Sequence, residues 1–441
     1  MSDPRAQSHA LGYGLDFADL HDRAGLLEVD SAFCAGLAAQ DPDLAEALDA
    51  ARAAPDALAA KMEADLLLRL APHLDAFLAG LFPLGAARDA LNADWDSWAP
   101  VLEAKRKFTQ RRVAKAPPAE PIDAAQARAA VERHLGRAYD PRALAAALLD
   151  WLAAPGDNAE ALADAERFAA WAVHDPEGQH IHADDPLFKV PRRDDPLHLV
   201  ALEHEKVGGV TRTRAPESRR RRRDGFDLTD PGPDVGRAAG EAGYCILCHH
   251  QGKDSCSKGL PDKDTGDFQR SALGPELTGC PLEQRISEML EARRAGHPLA
   301  ALALVVIDNP MVAGTGHRIC NDCMKACIYR NQDRTPVDVP RAETRLLRDV
   351  LDLPWGFEVY SLLTRWNPLD LRRPLPAPDT GRKVLVAGLG PAGYTLAHHL
   401  MQDGHSVMAV DGLKIEPLDP ALSGVDHAGR PVPFRPTTDA S

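Results

Sequence analysis

Apolar residues recur every three or four positions along the first 180 residues of the chain. Around Leu66, Leu70 and Leu74 this spacing places the apolar side chains on one face of a helix. The same stretch is rich in Ala, Leu, Glu and Arg, which favour helix. Proline-bearing breaks at 116–121 and 154–157 interrupt the pattern. We therefore predict a helical bundle region over residues 1–180, built in two parts.

The pattern changes after residue 180. Residues 181–236 are charged and rich in proline, and they include five consecutive arginines at 219–223. Because acidic residues flank these arginines in an acidic chain, we interpret 181–236 as a solvated linker. Short helical or irregular pieces are expected over 237–345, with helices at 282–295 and 341–350. A proline-rich connecting segment follows at 346–380.

Two short apolar runs near the end of the sequence predict strands. KVLVAG occupies 383–388 and SVMAV occupies 406–410, with a helix-like stretch between them. A strand, a helix and a second strand in this order begin an α/β domain, which we assign to residues 381–441. The fold class is therefore mainly α, followed by the start of an α/β domain.

Composition narrows the classes of function. The chain has 441 residues and a net charge of −14, which argues against a general nucleic-acid binder because phosphate contacts require a basic surface. Neither a signal peptide nor a run of about 20 apolar residues occurs in the sequence. We expect a cytoplasmic protein that binds neither nucleic acid nor membrane.

Seven of the eight cysteines lie in one segment. Thiolates at such short spacings can bind one soft metal centre, and a cysteine followed by proline often ends an iron–sulfur run. An odd number of thiols in a reducing compartment fits disulfides poorly. The candidate ligands are Cys245, Cys248, Cys256, Cys280, Cys320, Cys323 and Cys327. The remaining cysteine, Cys34, is expected to be a small hydrophobe on a helix.

Zinc is the alternative for this segment, since the two C-x2-C pairs also have zinc-ribbon spacing. One tetrahedral site would use four sulfurs and leave three unexplained. Seven thiols are one short of two four-thiolate clusters, so one cluster would take another ligand or keep an open iron. His249 and His250 follow Cys248 directly, and they either ligate a metal or shape the site and donate hydrogen bonds to sulfur.

A glycine motif follows the first predicted strand. Gly388, Gly390 and Gly393 are spaced G-x-G-x-x-G, with Pro391 and Ala392 opening the next helix. The first glycine permits a tight turn, the second lets the backbone approach a pyrophosphate, and the third allows the helix to pack on the strand. Asp411 ends the second strand, about 20 residues further on, where an acid accepts a ribose hydroxyl. The motif itself does not distinguish FAD from NAD.

Four stretches resemble the glutamate synthase small subunit and the amino-terminal part of dihydropyrimidine dehydrogenase. They are GYCILCHHQGKDSCSKG, GCPLEQRISEM, DNPMVAGTGHRICNDCMKAC and GRKVLVAGLGPAGYTLAHHL. The resemblance covers about residues 240–418. It implies an α-helical domain with two [4Fe-4S] clusters, followed by a Rossmann-like FAD-binding domain of the pyridine nucleotide-disulfide oxidoreductase type. Electrons in such proteins pass from NADPH through FAD and the clusters to a partner.

The resemblance also implies a crossed set of ligands. Cys245, Cys248, Cys256 and Cys327 would bind one cluster, and Cys280, Cys320 and Cys323 the other. Glu343 stands where the family places its eighth ligand, although an acid in the first turn of a helix is common without that role. Seven residues separate Cys248 from Cys256 and 23 separate Cys256 from Cys280, which are longer gaps than in the family.

After Asp411 only thirty residues remain, without a second glycine motif. We therefore expect weak FAD retention, and NADPH only if a missing domain or partner supplies it. The leading hypothesis is an NAD(P)H-dependent flavin and iron–sulfur oxidoreductase module that exchanges electrons with a partner protein, with no catalytic side chain. The alternatives are a non-enzymatic iron–sulfur carrier and a zinc-stabilised interaction subunit.

Overall fold

A computed structural model describes residues 10–193, 195, 197–200, 202–217, 220, 225, 232–412, 420–423, 426, 428 and 430–433. The chain divides into two compact units, Met1–Leu375 and Pro376–Ser441. Most of the described residues are helical, which confirms the mainly α prediction. Four members of the predicted arginine run, positions 219 and 221–223, lie outside the described residues.

The first unit begins with helices that run to residue 181. They are α1 (Arg23–Gln40), α2 (Pro42–Ala53), α3 (Ala60–Leu81), α4 (Gly85–Asp96), α5 (Ala99–Ala104), a π-helix (Lys105–Val113), α6 (Ala124–Leu135), α7 (Pro141–Ala153), α8 (Ala159–His174) and α9 (Pro176–Ile181). The predicted breaks at 116–121 and 154–157 fall between helices. Aspartates begin several of these helices; Asp22, for example, accepts a hydrogen bond from the Gly25 amide over 2.8 Å.

The rest of the first unit carries the cysteines. Its elements are β1 (Glu203–Val207), β2 (Val210–Arg214), α10 (Val235–Tyr244), α11 (Ser255–Lys258), α12 (Ile286–Arg294), α13 (Pro298–Asp308), α14 (Val312–Ile319), α15 (Asp322–Lys325), α16 (Val339–Leu351) and α17 (Gly356–Leu363). Strands β1 and β2 form an antiparallel hairpin inside the segment that we interpret as a linker. Gly208 and Gly209 turn the chain between them, both with positive φ.

Two hydrophobic cores stabilise this unit. The first core combines α1–α4 with the cysteine-bearing helices from α10 onward, and its buried residues run from Leu15 to Trp95 and from Val235 to Leu371. The second core belongs to the helices between them and runs from Val101 to Val190. The domain boundaries derived from the sequence remain predictions; the packing adds that the first helices share one core with the cysteine segment.

Polar contacts join the distant parts of the first core. The Trp366 indole N–H donates to the Asp30 carboxylate over 2.9 Å. Buried Asp75 on α3 accepts the amide N–H groups of Leu299 and Ala300, at 2.8 and 3.3 Å, and so caps the amino terminus of α13. Because these partners are more than 200 residues apart in sequence, the cysteine segment is held by the amino-terminal helices.

The second unit contains β3 (Lys383–Ala387), α18 (Pro391–Gln402), β4 (Ser406–Val410) and the short α19 (Pro420–Ser423). Strands β3 and β4 pair in parallel, with Lys383 opposite Ser406 and Ala387 opposite Val410. The described arrangement is therefore the predicted strand, helix and strand.

One predicted helix begins later than expected. The sequence places its start at residue 282, whereas α12 begins at Ile286 and ends at Arg294. Glu283 has a φ of 50°, outside the helical region, and the amides of Leu282 and Gln284 donate to the Cys280 sulfur. These amides are therefore used by the cysteine loop. The predicted helix at 341–350 agrees with α16 to within two residues at each end.

Candidate functional site

The structure brings together the four thiols that the resemblance assigns to one cluster. Cys245 ends α10, Cys248 begins a short 3₁₀-helix, Cys256 lies on α11 and Cys327 follows α15. Burial raises the pKa of Cys245 to about 12, and the neighbouring Cys327 and Cys248 raise it further. Burial also raises the pKa of Cys256 well above its ordinary value, with contributions from the other three thiols. We call these four residues the first thiol set.

The remaining candidates form a second group. Burial raises the pKa of Cys323, and Cys280, Glu343 and Cys320 add to the shift because they lie close by. Burial raises the pKa of the Glu343 carboxyl to about 7, opposed by a hydrogen bond from Gln284. Cys280, Cys320, Cys323 and Glu343 are therefore neighbours, and we call them the second thiol set. Cys34 belongs to neither set; it lies half-buried beside Arg52, 3.6 Å from the guanidinium.

Backbone amides point at the buried sulfurs of both sets. In the first set, the Leu247 N–H donates to the Cys245 sulfur over 3.4 Å, and the Val337 and Tyr329 amides donate to Cys327. In the second set, Cys280 accepts from two amides. A neutral thiol is a weak acceptor, whereas a thiolate or a metal-bound sulfur accepts such bonds strongly. Amides aimed at sulfur are a means by which proteins tune metal–thiolate centres.

The two sets lie on adjoining stretches of backbone. The Cys280 amide donates to the Cys256 carbonyl over 3.0 Å, which places a residue of each set side by side. Cys323 and Cys327 belong to different sets and are four residues apart. Leu247 and Asp254 near the first set have φ values of 50° and 24°. Non-glycine residues in this region are strained, and such strain concentrates at functional sites.

His249 and His250 converge on a carboxylate of α12. The Nε2 atoms of His249 and His250 lie 3.1 and 3.0 Å from the same oxygen, Oε2 of Glu291. His249 is buried and His250 is exposed. Burial and the neighbouring His250 lower the pKa of His249, which favours its neutral ring. Sequence reasoning did not find Glu291, because its partners follow a cysteine more than 40 residues away.

An aromatic pair adjoins the first thiol set and was also missed from the sequence. The rings of Tyr244 and Tyr329 stack with centroids 4.5 Å apart, next to Cys245 and Cys327. Two lysine ammonium groups approach the Tyr244 ring, Lys105 at 5.3 Å and Lys189 at 5.2 Å. Lys189 also forms an ion pair with buried Glu241. The positions of the tyrosines beside cysteines were visible in the sequence, but the two lysines come from another core.

The glycine loop has the geometry that a dinucleotide motif requires. Gly388 has a φ of 98°, and its amide donates to the Val410 carbonyl over 2.7 Å. A Cβ on Gly393 would lie 1.8 Å from the Gly388 carbonyl oxygen, so only glycine fits there, whereas a Cβ on Gly390 would meet open space. Asp411 accepts a hydrogen bond from the Leu389 amide and so lies beside the loop. Pro391 and Ala392 form the first turn of α18.

These residues fit the groups that the resemblance implies. Each thiol set offers three or four soft donors with amides aimed at sulfur, which suits an iron–sulfur cluster. The open space at Gly390, at the amino terminus of α18, suits a pyrophosphate. The three glycine roles fit any dinucleotide and do not select FAD over NAD.

Comparison with known proteins decides the family. The model of the RP005 N-terminal alpha-helical domain matches residues 11–83. The chain is 30% identical over 288 residues to the uncharacterized protein RP005 of Rickettsia prowazekii (strain Madrid E), which spans 63% of this chain and 96% of RP005. The chain belongs to the RP005 family. RP005 is itself uncharacterized, so membership carries no activity.

Two further similarities cover shorter stretches. The chain is 58% identical over 108 residues to the uncharacterized protein RP006 of the same organism, spanning 24% of this chain and 15% of RP006. It is 32% identical over 130 residues to the glutamate synthase [NADPH] small chain of Mycobacterium tuberculosis (strain ATCC 25618 / H37Rv), spanning 29% of this chain and 23% of that protein. The chain thus spans less than a quarter of either relative. The predicted resemblance is confirmed as a distant and partial similarity to an oxidoreductase subunit.

None of the helices among the described residues combines the length and the apolar character needed to cross a membrane.

Proposed function

We propose that this protein is an electron-transfer module that holds two [4Fe-4S] clusters and exchanges electrons with a flavin and a partner protein. The first and second thiol sets would be the cluster ligands, with Glu343 completing the second. The observation that carries the proposal is the separation of the seven thiols into two adjacent groups, each with backbone amides aimed at sulfur. The partial similarity to a glutamate synthase small chain supports the same class of function.

The amide donors favour iron–sulfur clusters over a single zinc site. One tetrahedral zinc ion uses four ligands and would leave one thiol set without a metal. A buried set of neutral thiols would also leave several amides with weak acceptors, which costs free energy. Bound clusters and a bound flavin would supply one-electron transfer. The residues of the chain would contribute the ligands, the donors to sulfur and the exclusion of water around both sets.

The second unit would contribute the pyrophosphate half of a dinucleotide site. The amides of the loop from Gly388 to Gly390 and the amino terminus of α18 would hold the anion, and Asp411 would accept a ribose hydroxyl. We propose FAD as this ligand, weakly held by the chain alone, with NADPH bound by a partner or further domain. The reducing cytoplasm, where thiols persist, is the compartment that we propose.

Anaerobic purification followed by metal and sulfide analysis tests this proposal. Two clusters predict about eight irons and about eight sulfides per chain, with a broad brown absorbance. Cys245→Ser in the first set and Cys323→Ser in the second should each lower the iron content by about four. Cys34→Ser is the matched control and should keep the full content, because Cys34 lies in neither set.

The alternatives give different results in the same experiment. A colourless protein with zinc in place of iron, made with iron in excess, would overturn the proposal in favour of a zinc-stabilised interaction subunit. Full iron content with no flavin binding, even with FAD in excess, would favour a non-enzymatic iron–sulfur carrier. Loss of iron in Cys34→Ser equal to that in Cys245→Ser would show that the assignment of ligands is wrong.

A further inference from the structure

The pair His249 and His250, together with Glu291, forms a cluster that the proposed function does not use. The nitrogen and oxygen atoms that could serve as ligands lie within 4.8 Å of one another. His249 and His250 lie on the 3₁₀-helix Cys248–Gln251, and Glu291 lies on α12. Both elements are fixed by backbone bonds, including the Gly252 amide to the His249 carbonyl at 2.8 Å.

The contacts inside this cluster are close without being hydrogen-bonded at the buried histidine. His249 Nε2 and Glu291 Oε2 are 3.1 Å apart, yet both atoms are buried and neither has a hydrogen-bond partner of suitable alignment. His249 as a whole is only 5% exposed. An unpaired buried polar atom is costly, so a ring nitrogen and a carboxylate oxygen left in this state require an explanation.

Two ligands of one metal ion have this relationship. Each lone pair points to the ion rather than to the other ligand, so the ligand atoms approach closely without hydrogen-bond alignment. Metal–nitrogen and metal–oxygen bonds of about 2.0–2.1 Å at tetrahedral angles give ligand separations of about 3.3 Å. The separations of 3.1 and 3.0 Å at Glu291 Oε2 are near this value.

We infer that His249, His250 and Glu291 bind one divalent d-block metal ion, separate from the thiol sets. Two imidazoles and a carboxylate are a ligand set used for zinc and for mononuclear iron. Three protein ligands leave a position open to water or to a small ligand. Because His250 is partly exposed, that position can be reached from solvent. The inference goes beyond the proposed function, since it does not require either cluster.

Titration of the anaerobically purified full-length protein with Co²⁺ tests the site. Cobalt reports its geometry by visible absorbance, and metal analysis after gel filtration gives the stoichiometry. One cobalt per chain is expected in addition to the resident iron. His250→Gln and Glu291→Gln should each weaken cobalt binding at least about tenfold, with iron and sulfide unchanged. Competition with Zn²⁺ and with Fe²⁺ then identifies the preferred ion.

His180→Gln is the matched control, because it makes the same change at an exposed histidine outside the cluster. It should bind cobalt as the wild type does. Equal cobalt affinity in the wild type and in both site variants, or no bound cobalt in the wild type, would overturn the inference. A fall in iron in His250→Gln would also overturn it, by making His250 part of the first thiol set. Cobalt binding that depends on His250 in a protein without iron would refute the proposed function and leave this inference standing.

Discussion

The Glu343 carboxylate accepts a hydrogen bond from the side-chain amide of Gln284 over 2.6 Å, and both side chains are buried. Gln284 follows the Cys280 loop, and its backbone amide donates to the Cys280 sulfur. One residue therefore orients both a candidate thiolate and a candidate carboxylate of the second thiol set. Such support of a ligand by a neighbouring donor is typical of metal centres.

This relationship leads to a prediction for the eighth ligand. Glu343→Ala removes the carboxylate and should lower the iron content by up to about four per chain, or change the electron paramagnetic resonance spectrum of one reduced cluster. Gln284→Leu removes the hydrogen bond but no proposed ligand, so it should keep the iron. If Glu343→Ala retained both the iron and the spectrum of the wild type, the carboxylate would not be a ligand.

The glycine loop separates a folding role from a binding role. Gly393→Ala would place a methyl group 1.8 Å from the Gly388 carbonyl oxygen, and we expect it to destabilise the second unit by about 1–3 kcal/mol. Gly390→Ala points its methyl group into open space, so the unit should fold normally while nucleotide binding weakens. Hydrogen exchange of the β3 amides measures the first effect, and titration with FAD measures the second. Normal exchange in Gly393→Ala, or wild-type FAD affinity in Gly390→Ala, would contradict this division.

Lys105 predicts a dependence of stability on alkaline pH. Burial lowers its pKa from 10.5 to about 8, and its ammonium lacks a hydrogen-bond partner. Between these values the unfolded chain binds more protons than the folded chain, so the free energy of unfolding should rise by about 1 kcal/mol from pH 7 to pH 9. Lys105→Met should abolish this rise and stabilise the protein at pH 7. Denaturant titrations measure both, with exposed Lys107→Met as the control that retains the rise.

Asp75 predicts the opposite slope in mild acid. Burial raises its pKa from 3.8 to about 6, although Leu299, Ala300 and Arg88 oppose the shift. The folded chain therefore holds a proton that the unfolded chain has lost, and this stabilisation disappears as pH rises through 6. From pH 5 to pH 7.5 it contributes a fall of about 1 kcal/mol in the free energy of unfolding.

The difference between wild type and Asp75→Asn isolates that contribution, because other groups that titrate in the range are common to both. The variant should show a shallower fall with pH. Asp89→Asn is the control, since Asp89 also pairs with Arg88 but is exposed, and it should keep the slope of the wild type. Parallel slopes in wild type and Asp75→Asn would mean that Asp75 is ionised throughout the range.

The parts of this molecule that were predictable from sequence are those that local chemistry determines. The breaks between the first helices, the strands at 383–387 and 406–410, and the packing role of Gly393 follow from apolar periodicity, proline and glycine. The start of α12 was wrong because two amides donate to the Cys280 sulfur, a contact that periodicity does not encode. The glycine pair at 208–209 was a signal for the hairpin that was not used.

Other features depend on contacts between distant segments. The shared core of Leu15 to Trp95 with Val235 to Leu371 has no local signature. Neither does the approach of Glu291 to the two histidines, nor that of Lys105 to Tyr244. The grouping of the thiols came from the resemblance and not from their spacing, which by itself left the pairing open.

The first core, formed by two segments with the second core inserted between them, determines an order of events during synthesis. The helices α1–α4 leave the ribosome long before the partners that cover them, so their apolar faces must wait for more than 200 further residues. The second core is contiguous in sequence and can close first. The cysteine-bearing helices then complete a surface that is already waiting for them. Acquisition of metal would thus be a late, post-translational step, and a truncated chain that begins at α10 would lack the scaffold on which its cysteines are arranged.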